Sequence, residues 1–180
     1  ILTSKKNILF NEEKEAIIKY FGQLNKWIWD GLNVQVVDYN HTNFHELSER
    51  LINMRDDHNK TNIEFAKVQL LVKNEELIKI GHETNLKTLE LHHFTESIIK
   101  SLQRILSWEK IRVDQFTSKD FDFNKLSVEM KDFYQNQAKD REVEKKQIID
   151  KYFEKHQEFF SPVIQLRDQF KELGKKYLNE

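Results

Sequence analysis

The side chains best placed to do chemistry in this chain are its 7 histidines and the carboxylates near them. Imidazole ligates metals and changes charge close to neutral pH. Glu90 and His93 are three residues apart, with Glu96 three further on and His92 alongside. The Glu90–His93 step has the form of half a di-iron motif, in which two helices each supply Glu-x-x-His. The second copy of that motif is absent. In an up-and-down bundle His82, Glu90, His93 and His156 would fall toward one end, and they are the expected metal ligands if the chain binds a metal. His41 and His45, with Glu49 four residues on, would fall toward the other end. The competing expectation is that these residues are solvated helix ends, because such spacings arise easily in a Glu-rich chain.

Two histidines stand out by position. An apolar row runs Ile149, Tyr152, His156, Phe159, Val163, Leu166, Phe170, Leu173, Tyr177, alternating steps of three and four. A second runs Phe44, Leu47, Leu51, Met54, His58, Thr61, Phe65, Val68, Val72. This is the rhythm of helices buried along one seam. His58 and His156 therefore sit among apolar residues. A polar group there sets register, acts as a pH switch, or is simply a hydrogen-bonded core histidine.

The first helix adds a third cluster. Ile17, Phe21, Leu24 and Ile28 share a face, which Tyr20 and Trp27 widen on one side and Ile18, Trp29 and Leu32 on the other. The apolar arc reaches roughly 200°, against about 100° for an ordinary surface helix. Trp27, Trp29 and Ile18 are accordingly the expected partner-binding residues, and one of the two tryptophans should face the core while the other lies at its margin.

The elements that position these residues follow from composition and punctuation. The chain has 180 residues, 33% of them charged and 38% hydrophobic, with Gly 4 and Pro 1. That supply suits long helices and leaves little for turn-rich β folds or glycine-rich phosphate loops. The expected fold is an all-α antiparallel four-helix bundle in one domain, residues 1–180. Helix one starts near Asn11, or earlier at Thr3 or Ser4, and ends near Gly31. Helix two starts behind an Asn43/Glu46 capping box and runs to Ile80, about 55 Å. Gly81 is the expected break, and Thr84 or Asn85 the cap of helix three, which runs to about Phe116. Phe121 and Phe123 are expected to plug a bundle end. Helix four starts near Asn124 and is kinked near Pro162, the alternative being a fifth helix starting at Ser161. The competing architecture fuses helices two and three into an elongated three-helix coiled coil.

Composition also bounds function. Lys+Arg 29 against Asp+Glu 30 gives a net charge of -1, without the basic surplus of a nucleic-acid binder. Lys139, Arg141, Lys145 and Lys146 are interleaved with Asp140, Glu142 and Glu144, which reads as a solvated helix face. Cys is 0, so disulfides and thiolate chemistry are excluded. No Ser-His-Asp arrangement, Walker loop or dinucleotide fingerprint is present. The chain begins with Ile1, as expected of a processed product or a segment of a longer protein, and missing flanks would be its route to a membrane. The expected function is a non-enzymatic helical module that binds a protein partner or small ligand and transmits a signal. It is expected to be a homo-oligomer without a cofactor. The layout is that of extracytoplasmic sensor domains, by analogy of fold alone. The alternatives are a BAR-type membrane scaffold and a His/carboxylate metal-binding bundle.

Overall fold

Four long helices carry the chain. The computed structural model describes residues 2–179, with side chains from Asn7 onward. The helices are α1 (Leu2–Lys26), α2 (Glu46–Leu71), α3 (Glu75–Thr117) and α4 (Val128–Asn179). Among the described residues there is no strand. Cross-contacts fix an up-down-up-down order. Tyr20 meets Phe65 and Gln23 meets Asp57, Ser48 meets Gln103 and Arg55 meets Glu96, Phe94 meets Phe159 and Glu109 meets Lys145, Glu13 meets Tyr177 and Asn25 meets Arg167, so each neighbouring pair is antiparallel. The diagonal pair α1 and α3 is parallel, with Tyr20 on Gly81 and Trp27 on His92.

α1 runs longer at its N-terminus than its Asn11 cap signal suggests, and it closes in a π-helical turn, Trp27–Gly31. The Leu32 amide donates to the Trp27 carbonyl at 3.1 Å, five residues back. That extra residue in the turn lets Trp27 and Ile28 both bury while Trp29 swings outward. Val34 and Val36 then cover the bundle end, and the Val34 amide donates to the Tyr152 hydroxyl at 3.1 Å.

The break between helices two and three is Val72–Asn74, not Gly81. Asn74 is the cap: its side chain accepts from the Leu77 amide, and Glu75 and Glu76 follow in the first turn. Gly81 lies inside α3, where a Cβ would overlap the Phe65 ring and sit 3.2 Å from Phe170. The glycine serves close packing of three helices, and Thr84 and Asn85, expected as caps, are interior to the helix. α2 is therefore 26 residues long and α3 43, and the fused three-helix rod does not form.

The expected capping box at α2 is also absent. Asn43 instead accepts from the Asn40 amide and donates to the Asp38 carbonyl, closing the preceding turn, and α2 begins behind His45 without a side-chain cap. Helix four starts at Val128, after a short 3-10 turn at Phe123–Lys125. Pro162 lies within α4, and no fifth helix starts at Ser161. A proline there removes the amide that would bond the Glu158 carbonyl.

The core is concentrated in half of the molecule. Tyr20, Leu24, Trp27, Leu47, Met54, Leu77, Leu91, Leu102, Val163 and Phe170 are fully buried. The last buried residue of α3 is Leu106 and the first of α4 is Tyr152. Between them α3 and α4 continue as a two-helix arm, Ser107–Thr117 against Val128–Lys151, without a fully buried side chain.

Candidate functional site

In the centre of the bundle an indole and two imidazoles meet. Trp27, fully buried at the end of α1, lies 4.9 Å from the His58 ring on α2 and 5.8 Å from the His92 ring on α3. The two imidazoles are 5.7 Å apart. Trp27 Nε1 donates to His92 Nδ1 at 3.1 Å. An indole only donates, so His92 carries its proton on Nε2. Nε2 faces Glu96 Oε2 at 3.8 Å, and His93 Nδ1 faces the same oxygen at 4.0 Å. His58 Nε2 pairs with the Asn62 amide at 2.9 Å.

Electrostatics keep this cluster neutral. Lys100 and Arg55 bind Glu96 Oε1 at 2.7 and 2.8 Å and pull its carboxyl down to about 2. Glu96 stays charged and favours an imidazolium, but burial outweighs it. Burial, reinforced by His58, lowers His92 to about 4. Burial and then His93 lower His58. The arrangement is a neutral polar plug joining three helices. It extends along α3 through Thr84 and Thr88, whose hydroxyls donate to carbonyls one turn back, to the buried Thr95.

His156, the other seam histidine, is a separate feature. It lies between Tyr152, tilted at 4.8 Å, and Phe160, stacked at 5.1 Å, beside the 33–35 connector, and its Nε2 is buried without a partner. Burial lowers its pKa, and the Leu32 carbonyl opposes that shift. The four expected metal ligands do not converge. His82 and His93 are exposed, Glu90 is held by Lys87 at 2.7 Å, and His156 is beside the connector. Among the described residues no group of three or more histidines and carboxylates is placed to hold a metal ion. The Glu90–His93 spacing fails because both residues lie on the solvent side of α3.

The proposed partner-binding residues separate as well. Trp27 is core and presents no surface, so it drops out as a contact residue. Trp29 is 43% exposed, edge-on to Phe160 at 5.3 Å, with the Arg167 guanidinium 5.7 Å over its ring. Ile18 is 56% exposed on the α1/α4 side.

A further set of exposed apolar side chains lies on the arm, which sequence reasoning did not single out. Trp108, Ile111, Phe133 and Val143 are each about half exposed or more. Trp108 and Ile111 line a seam with Tyr134, Ala138 and Arg141, whose guanidinium lies 5.7 Å over the Trp108 ring. Phe121 and Phe123 do plug an end, that of the arm, against Phe116 at 5.0 and 5.7 Å. Lys145–Glu109 and Arg104–Glu144 ion pairs clamp the hairpin nearer the bundle. The polar stretch 136–147, before the closing stripe begins, marks this segment as solvated without showing that it outruns its neighbours.

Comparison with protein-family models gives no match, and neither curated proteins nor solved structures match the chain.

Proposed function

We propose that this chain is a non-enzymatic interaction module whose bundle holds out a two-helix arm that docks on the arm of a second copy. One observation carries the reading. From Ser107 to Lys151 no side chain is fully buried, yet the segment carries Trp108, Ile111, Phe133 and Val143. A helix pair buries each helix on one side only, whereas two pairs together make a four-helix bundle with a dry centre. The Trp108/Ile111 seam is an exposed apolar surface of the kind that marks association.

The charge pattern favours a second copy over a strongly charged partner. Residues 107–117 carry two basic and two acidic side chains, and residues 128–147 carry five of each. An arm with no net charge meets its copy without repulsion, and its alternating signs supply rim pairs in an antiparallel approach. The same neutrality speaks against a BAR-type scaffold, which relies on a basic face to reach anionic lipid. No helix among the described residues is long and apolar enough to cross a membrane. The sensor-like reading draws its support from α4, a single helix of 52 residues joining the arm to the bundle core. Docking at one end would bear on the packing around Tyr152 and Val163 at the other.

The test is sedimentation velocity over a hundredfold concentration range. The wild-type chain is expected to sediment as a dimer at high concentration and to dissociate on dilution. The Trp108→Glu/Ile111→Glu variant is expected to stay monomeric with unchanged helicity, since both residues are surface-exposed. A wild-type monomer at all concentrations overturns the proposal.

A further inference from the structure

Away from the arm, an apolar groove of about 300 Å³ lies between α1 and α4. Its floor is Ile17, Phe21 and Phe170, and its edges are Ile18 and Leu178. Two glycines face it, and they differ. Gly174 is buried, and a Cβ there would sit in van der Waals contact with Ile17 at 3.4 Å. Gly22 has no such neighbour: a Cβ there would meet nothing within 4 Å. A mid-helix glycine without a packing neighbour weakens its helix and leaves backbone open to close approach by a ligand. The only charged residues lining the groove are Lys171 and Lys175, one turn apart on α4. Lys175 shares its charge with Glu172 at 2.8 Å, and Lys171 makes no ion pair among the described residues. Lysine stems lie along apolar walls with their ammonium groups at the rim.

We infer that this groove binds a single-chain amphiphile with an anionic head, a free fatty-acid-type carboxylate, with the tail over Gly22 and the head at Lys171 and Lys175. The volume is at the small end of the range for ligand pockets. It is well below the space of two turns of an α-helix, which is 10–12 Å across with its side chains. An alkyl chain satisfies a wall that offers almost no hydrogen-bonding groups, and a carboxylate satisfies the two cations. The inference stands apart from the arm, and arm variants leave it unchanged.

The test uses decanoate and decyltrimethylammonium, equal in tail and opposite in head charge, titrated below micelle formation by calorimetry. Decanoate is expected to bind one per chain, at least about tenfold tighter than the cation. Lys171→Gln/Lys175→Gln should remove that preference. Gly22→Leu should fill the groove and abolish decanoate binding while raising the melting temperature, because leucine favours helix over glycine. Equal affinity for the two heads overturns the inference, as does undiminished decanoate binding by Gly22→Leu. Binding to anionic vesicles without binding to decanoate overturns it too, since the occupant is a free chain.

Discussion

Trp27 Nε1 donates to His92 Nδ1 across 3.1 Å in the middle of the bundle, tying the end of α1 to α3 at a point where His58 of α2 lies against both rings. The indole can only donate and the imidazole nitrogen must accept, so this bond fixes the His92 tautomer.

Removing the donor should be costly. Trp27→Phe leaves a buried acceptor unpaired and a smaller ring in the core, for a loss of about 2–5 kcal/mol. His92→Leu together with Trp27→Phe should cost less than the sum of the single changes, because no orphaned imidazole remains. Urea unfolding of the four members of the cycle measures this; strict additivity would show that the bond does not couple the two residues.

Acid should weaken the fold through the same cluster. His92 is lowered to about 4 from the ordinary 6.5. The native state therefore binds fewer protons than the unfolded chain in that interval. Its contribution is complete above pH 6.5 and is lost as pH falls toward 4, at up to about 1.4 kcal/mol per pH unit. His58 and His156, also lowered, act in the same direction. His92→Gln keeps an acceptor for Trp27 without titrating, so its stability should decline less steeply between pH 6.5 and 4. Urea midpoints at several pH values check the slope, and parallel wild-type and variant curves would remove His92 from this role.

Gly81→Ala should destabilise despite alanine's better helix propensity. The added methyl meets the Phe65 and Phe170 rings. Overpacking of about 1–3 kcal/mol exceeds the roughly 1 kcal/mol gained in propensity. Thermal melting of the variant is expected to fall by a few degrees; a higher melting temperature would show that the rings yield freely.

Much of this architecture is legible in the residue pattern, and the misreadings have physical causes. The Ile149–Tyr177 row does face the core along α4, with Tyr152, Val163 and Phe170 buried. Gly81 misleads because glycine marks two different things, a chain break and a close helix approach. The true break has neither glycine nor proline, and its signal is the cap Asn74 followed by two glutamates. His58 is visible as a seam residue. His92 is hidden beside His93, whose Glu-x-x-His spacing draws attention to the exposed face. Its placement shows instead in the Thr84, Thr88, His92, Thr95 row, a polar stripe with helical spacing whose members are all buried. The arm was harder to read, because nothing local tells a helix pair that it has outrun its neighbours. That depends on the lengths of α1 and α2, and so on the break at Val72–Asn74.

Arm-to-arm docking is tested most directly by spin labelling, which the absence of cysteine makes clean. Lys139→Cys places a single label on the exposed side of the arm, and Lys79→Cys places one on the bundle end of α3. Packed helices lie about 8–10 Å apart, so labels on docked arms fall within the range of dipolar spectroscopy. The account predicts intermolecular dipolar coupling for the Lys139→Cys protein and markedly weaker coupling, or none, for Lys79→Cys. Coupling at Lys79→Cys with none at Lys139→Cys, or none at either position, would contradict it.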